Sequence, residues 1–82
     1  MEYRYKTNGT CAREIFFEIT DGKVMNVQFN GGCNGNLKGI CALVNGMDVD
    51  AVIDRLSGIR CGLKSTSCPD QLARALKEAQ KM

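Results

Sequence analysis

The chain has 82 residues, with 11 lysines and arginines against 9 aspartates and glutamates, a formal net charge of +2. This charge is too small to indicate a nucleic-acid-binding surface, and a composition of 44% hydrophobic and 24% charged residues is typical of a folded globular domain. The longest apolar run, Ile40–Val44, is far shorter than the ~20 residues of a membrane span, and the N-terminal MEYRYK contains no signal-peptide core. We therefore predict a single cytoplasmic domain over residues 1–82 that binds neither nucleic acid nor membrane.

The first third of the chain alternates apolar and polar residues with the period of β-strands. Glu2–Lys6 places Tyr3 and Tyr5 on one face, and Arg13–Ile19 and Lys23–Phe29 each carry apolar residues two apart. These segments predict three antiparallel strands.

The register of the second and third strands follows from the turn between them. With a three-residue loop, Thr20–Gly22, Phe17 lies opposite Met25 and Ile15 lies opposite Val27, so that one face of the hairpin is uniformly apolar. A two-residue loop would mix the two faces. We therefore predict the three-residue loop.

The remaining residues predict three helices, because apolar residues recur at i, i+3, i+4 and i+7. The stripes are Leu37, Ile40, Cys41 and Val44 in the first helix, Val49, Val52, Ile53 and Leu56 in the second, and Leu72, Ala75, Leu76 and Ala79 in the third. Asn45-Gly46 and Gly58 are expected to end the first two helices, Asp48 to cap the second, and Ser67 with Asp70 to begin the third as a capping box. The sum is an α+β fold, a small antiparallel three-stranded sheet followed by three helices packed on one face.

Five cysteines and no histidine stand out in the composition. In a reducing compartment, cysteines bind a metal or perform redox chemistry more often than they form structural disulfides. Cys41 lies on the apolar stripe of the first predicted helix, which favours a core residue over a ligand. The other four, Cys11, Cys33, Cys61 and Cys68, sit at turns or helix ends, where the backbone can bend to present a ligand.

Four sulfur ligands suit tetrahedral zinc or an iron–sulfur cluster. Cys33 and Cys68 stand at the starts of predicted helices, where the helix dipole favours a thiolate. The predicted register sets Cys11 opposite Gly31 and Gly9 opposite Cys33, which brings two of the four to one end of the sheet. No two of the cysteines form a CxxC pair, so the spacing alone leaves a metal site and scattered structural thiols equally open.

Acid–base catalysis has little support in this sequence. The carboxylates lie on predicted solvated faces, and Asp70 fits an acidic residue in the first turn of a helix. The glycine-rich stretch Gly31–Asn36 lacks the Gly-Lys-Ser/Thr ending of a phosphate-binding loop. We predict no catalytic residue, and whether the chain is an enzyme stays open.

Residues Thr66–Asp70 read T-S-C-P-D, the motif that names the TSCPD domain family. Further matching segments are Gly9–Cys11, Gly31–Leu37, Gly58–Gly62 and Gln71–Ala73. The chain resembles a small stand-alone member of this family, and the resemblance makes Cys11, Cys33, Cys61 and Cys68 its four signature cysteines. Related domains stand at the C-terminal end of cobalamin-dependent ribonucleotide reductases. The resemblance therefore implies a ribonucleotide reductase or another protein as partner, and any reductase activity would rest on the resemblance only.

The chain also resembles, more weakly, the iron–sulfur scaffold proteins in the order of its cysteines, hairpin and helices. On that comparison Cys11, Cys33 and Cys68 match the scaffold's metal ligands, while Arg13 replaces the acidic residue that such scaffolds carry two positions after the first cysteine. This replacement favours zinc over a transferable cluster.

The leading hypothesis from the sequence is a metal-binding module in which the four cysteines hold one zinc ion. A thiol redox partner and an iron–sulfur binding protein are the alternatives. A fourth hypothesis is an interaction module that uses the sheet face of Tyr3 and Tyr5, if the helices leave that face open.

Overall fold

The computed structural model describes residues 2–7, 12–31, 34–60 and 66–81. The elements are β1 (Glu2–Lys6), β2 (Ala12–Thr20), β3 (Lys23–Gly31), α1 (Asn34–Val44), α2 (Val49–Leu56) and α3 (Cys68–Gln80). The strands form one antiparallel sheet in the order β1-β2-β3, so the predicted α+β fold is confirmed. Within the described ranges, no helix has the length and apolar character that crossing a membrane requires.

The hairpin of β2 and β3 closes through a two-residue turn, Asp21-Gly22, whose φ angles are 51° and 75°. Two positive φ angles define the type I′ turn that matches the twist of the flanking strands, and glycine adopts such an angle without steric cost. Ile15 pairs with Phe29 rather than with the predicted Val27. The predicted three-residue loop, Thr20–Gly22, is therefore wrong.

A β-bulge in β3 explains how a two-residue turn still produces an apolar face. Phe17 lies opposite two residues, Asn26 and Val27, instead of the predicted Met25, which pairs with Glu18. Asn26 has a φ of 52°, the left-handed conformation that the first residue of such a bulge adopts. The extra residue shifts the alternation of β3, so that apolar residues before and after it face the same side of the sheet.

The far end of the same hairpin also departs from the predicted register. Gly31 pairs with Ala12 rather than with Cys11, because the two-residue turn moves the pairing by one position, and a second register shift next to Ala12 offsets the bulge opposite Phe17. Cys11, Gly9 and Cys33, which the predicted register placed here, lie outside the described residues.

The helices pack on the sheet face that carries Tyr3 and Tyr5. Both tyrosines contact the core, and the Tyr3 ring stacks on the Phe17 ring with 5.3 Å between centroids. The buried core consists of Ile15, Phe17, Val24, Val27, Val44, Val49, Val52, Leu72, Ala75, Leu76 and Ala79. The suggestion that the tyrosine face is an open contact surface is therefore wrong, and alternation along β2 places Phe16 on the opposite face.

The predicted helix boundaries agree closely with the observed ones, but the two predicted caps behave differently. The Oγ of Ser67 accepts a hydrogen bond from the amide of Asp70 at 3.2 Å, as an N-cap does. Asp48 occupies the N-cap position of α2 without capping it, and its carboxylate instead pairs with Lys23 at 3.3 Å. Gly58, with a φ of 85°, follows the end of α2.

Helix α1 runs back along β3 toward the hairpin turn. It begins at Asn34, shortly after Gly31 at the end of β3, and beyond its last residue the amide of Gly46 donates to the carbonyl of Val24 at 2.7 Å. We call the end of the domain opposite the Asp21-Gly22 turn the distal end. Helix α1 therefore starts at the distal end.

Helices α2 and α3 are antiparallel to each other. The first residue of α2 donates its amide to the carbonyl of Gly22 at 2.9 Å, so α2 begins at the turn. There Gln80, the last residue of α3, donates its side-chain amide to Asp50 at 2.9 Å. At the opposite end of the pair, the amide of Gly58 donates to Asp70 at 2.6 Å. Helix α3 therefore begins at the end of α2 that lies away from the turn.

Candidate metal centre

One of the four predicted metal ligands, Cys68, lies within the described residues, where it is the partly exposed first residue of α3. The other predicted ligands, Cys11, Cys33 and Cys61, lie outside the described residues. The described residues beside these cysteines show which parts of the chain meet.

The neighbours of two of these cysteines meet at the distal end of the sheet. Ala12, which follows Cys11 in sequence, pairs with Gly31. Gly31 and Asn34, at the end of β3 and the start of α1, stand on either side of Cys33 in sequence. The hairpin therefore brings the described residues next to Cys11 and Cys33 to one place.

The neighbours of the other two cysteines meet at the start of α3. Ser67, which precedes Cys68, donates its hydroxyl to the carbonyl of Ile59 at 2.7 Å. Ile59 stands two residues before Cys61 in sequence. The described neighbours of the four cysteines therefore form two pairs, one at the distal end of the sheet and one at the start of α3, away from the turn.

A buried carboxylate, Asp70, organises the start of α3. Asp70 is 4% exposed, and its Oδ1 accepts a hydrogen bond from the amide of Gly58. Its Oδ2 accepts from the hydroxyl of Thr66 and pairs with Nε of Arg74 at 3.0 Å. The sequence predicted Asp70 as an acidic residue of the first helical turn and as the partner of Ser67 in a capping box, but missed that it joins α3 to the end of α2.

Opposing effects act on the ionisation of Asp70. Burial alone would raise the pKa of this carboxyl, but hydrogen bonds from Thr66 and Gly58 and the positive charge of Arg74 outweigh it and hold the pKa below its ordinary value. Asp70 is therefore a charged, hydrogen-bonded group at neutral pH.

Polar side chains around Asp70 are buried as a set. Gln71 is 1% exposed and donates to the hydroxyl oxygen of Thr66 at 3.0 Å, while Thr66 and Ser67 are each 4% exposed. Over the described part of the chain, no buried side-chain nitrogen or oxygen lacks a partner. A signal for this network was present in the sequence, since four polar residues fall within the six positions 66–71 at the start of a helix whose other face is apolar.

Cys41 lies apart from the start of its helix. It contacts the core, as predicted, but it is only half-buried and lines a groove of about 320 Å³ between β3 and α1 together with Phe29, Leu37 and Lys38. Burial raises the pKa of the Cys41 thiol, and a backbone hydrogen bond offsets part of this effect. Among the described residues, no three histidine, cysteine or acidic side chains are placed to hold a metal ion together.

A comparison with known protein families finds a match to nearly the whole chain. The TSCPD domain matches residues 1–80. The chain belongs to the TSCPD domain family. No curated protein and no solved structure matches it significantly. In this TSCPD domain, Thr66–Asp70, the segment that spells the family motif, supplies three side chains of the buried network and the cysteine at the start of α3.

Proposed function

We propose that this TSCPD domain binds one zinc ion through the thiolates of Cys11, Cys33, Cys61 and Cys68. The observation that carries the proposal is that the described neighbours of the four cysteines meet in two pairs, one at the distal end of the sheet and one at the start of α3, both away from the turn. Four thiolates form a complete tetrahedral ligand set for structural zinc.

The electrostatics of the distal end support this proposal. Helix α1 begins there and α3 begins away from the turn, and the unpaired amides of a helix N-terminus carry a partial positive charge. Cys68 is the first residue of α3, and Cys33 directly precedes α1 in sequence. A negatively charged thiolate, the form of cysteine that binds a metal, is stabilised by this charge.

The small size of the domain gives zinc a structural role. A shared metal would connect the hairpin, which begins after Cys11, to the helices that begin after Cys33 and at Cys68. Structural zinc contributes roughly 10–16 kcal/mol in apparent binding free energy, compared with a total stability of roughly 5–15 kcal/mol for a typical domain. Folding of the hairpin onto the helices is therefore expected to depend on the metal.

The test is the metal content of the full chain purified without oxygen. We expect one zinc per chain, and we expect a strong chelator to unfold the protein. Replacement of any one of the four cysteines by serine should abolish stoichiometric zinc, whereas the matched control Cys41→Ser should retain it. A purified protein without metal, whose melting curve is unchanged by chelator, would contradict the proposal.

The same preparation separates zinc from the two alternatives. An iron–sulfur cluster would give visible absorption and bound iron. A thiol redox partner would contain no metal and would gain or lose two reactive thiols between oxidising and reducing conditions, since two of its cysteines would cycle between dithiol and disulfide. Zinc predicts a colourless protein whose four ligand thiols are shielded from reagents while the metal is bound.

A further inference from the structure

We infer that Asp70 is a positioning residue of the zinc site, and not one of its ligands. Its carboxylate holds the chain after α2, which leads to Cys61, against the first turn of α3, which begins at Cys68. This inference rests on the proposed function, because it concerns how two of the proposed ligands are held relative to each other.

The contacts of Asp70 leave its oxygens occupied. Oδ1 accepts the amide of Gly58 at 2.6 Å, and Oδ2 accepts the Thr66 hydroxyl and lies 3.0 Å from Nε of Arg74. Asp70 is 4% exposed, and its carboxylate is surrounded by these three donors. A carboxylate in this arrangement is not available to a metal ion.

The donors belong to two segments that Asp70 joins. Gly58 follows α2. Thr66 precedes α3, and Arg74 lies on α3, one turn after Asp70. A carboxylate that accepts from both segments fixes the end of α2 relative to the start of α3.

A second link acts in the same place. The hydroxyl of Ser67 donates to the carbonyl of Ile59 at 2.7 Å, one residue beyond the bond from Gly58. Two residues of chain, at most about 7 Å, separate Ile59 from Cys61. Ser67 itself directly precedes Cys68, so the two links set the span across which these two ligands must reach one metal.

Metal affinity is sensitive to such supports. Ligands have to be held close to the coordination geometry, and removal of a group that orients a ligand lowers metal affinity about 10–100-fold. We therefore expect Asp70→Asn, which keeps the size of the side chain but introduces an NH₂ group or a weaker acceptor toward three donors, to lower zinc affinity by about that factor.

The experiment measures the zinc affinity of the full chain by competition with a chromogenic chelator. The matched control is Asp50→Asn, the same substitution in the first turn of α2, where the carboxylate is exposed and accepts one hydrogen bond from Gln80. We expect the control to stay within about twofold of the wild type, as exposed substitutions do. Equal affinities of Asp70→Asn and Asp50→Asn would overturn the inference.

A third variant and a second measurement separate an effect on the zinc site from a general loss of fold stability. Leu76→Ala removes core packing on α3, at a residue outside the Asp70 network. At matched loss of thermal stability, Asp70→Asn should lose more zinc affinity than Leu76→Ala and should alter the ligand-field absorption of the cobalt(II)-substituted protein. The inference would be overturned if Asp70→Asn left the cobalt spectrum unaltered and lost only as much zinc affinity as Leu76→Ala. It would also be overturned if X-ray absorption showed that Asp70→Asn removes an oxygen ligand from the metal. A wild-type chain that binds neither metal would instead refute the proposed function itself.

Discussion

The backbone amide of Asn26 donates a hydrogen bond to Oδ1 of Asn45, with 3.0 Å between the two atoms. Asn45 directly follows α1, so this bond attaches the loop after the helix to the bulge at the edge of the sheet. The side chain of Asn26 donates in turn to the carboxylate of Glu18 on β2 at 2.6 Å. One residue therefore connects the bulge to the neighbouring strand and to the helical layer.

The conformation of Asn26 leads to the first prediction. Its φ of 52° is tolerated by asparagine but strained for a β-branched residue. We expect Asn26→Val to lower the free energy of unfolding by about 1–3 kcal/mol, and Asn26→Gly to lower it less, because glycine adopts this angle freely. Urea unfolding of the three proteins measures the difference, and equal midpoints for Asn26→Val and the wild type would contradict the bulge.

The second prediction concerns the hydrogen bond from Thr66 to Asp70. Thr66→Val removes a donor to a buried carboxylate and the acceptor of Gln71, so we expect a loss of about 1–3 kcal/mol in unfolding free energy. Thr20→Val, at the exposed end of β2, is the control and should change stability by less than about 0.5 kcal/mol. Comparable losses in the two variants would contradict the structural role of Thr66.

The same pair of proteins predicts a pH dependence. Because the pKa of Asp70 is lowered in the folded state, its ionised form contributes stability at pH values above the ordinary carboxyl pKa, and this contribution is lost as the pH falls through the lowered one. The stability difference between wild type and Thr66→Val should therefore be constant near neutral pH and shrink below about pH 4. A difference that grows on acidification would contradict the lowered pKa.

The third prediction compares two leucines of opposite exposure. Leu76 on α3 is fully buried, whereas Leu43 on α1 is 77% exposed. Leu76→Ala should lower the free energy of unfolding by about 2–5 kcal/mol, because it leaves a cavity in the core. Leu43→Ala should change it by less than about 0.5 kcal/mol, and chemical denaturation of both variants tests the assignment of the core.

The fourth prediction concerns the reactivity of Cys41. In the zinc-loaded protein, iodoacetamide should modify this one cysteine, because the proposed ligands are shielded. The thiolate is the reactive form, and burial raises the pKa of the Cys41 thiol. Its alkylation rate should therefore rise at higher pH than that of the same cysteine in urea and chelator, as followed by mass spectrometry. Identical pH profiles in the folded and unfolded states would contradict the effect of burial.

Local patterns in the sequence predicted the elements well. The apolar stripe ending at Val44 and the glycine that follows it fixed the extent of α1, and Ser67 fixed the start of α3, because these signals act within one or two helical turns. The TSCPD motif likewise identified the family from consecutive residues.

Features that depend on distant contacts were not predictable in the same way. The predicted register was wrong because a prediction from alternating residues assumes regular strands. Asn26 instead takes a left-handed conformation, and its amide is bound by Asn45, 19 positions along the chain. The role of Asp70 was missed because its partner Gly58 is 12 positions away and donates through its backbone amide. A backbone donor does not depend on the type of side chain, so the sequence does not indicate it. Convergence of the four sulfur atoms stays a prediction for the same reason.

The positions of the two tyrosines allow one edge strand, β1, to be followed by spectroscopy. The chain has no tryptophan, and both tyrosines lie on β1, where the ring of Tyr3 stacks on that of Phe17. Intrinsic tyrosine emission and near-ultraviolet circular dichroism therefore report mainly on whether this strand is docked. Separation of β1 from β2 could be followed in solution without attaching any dye.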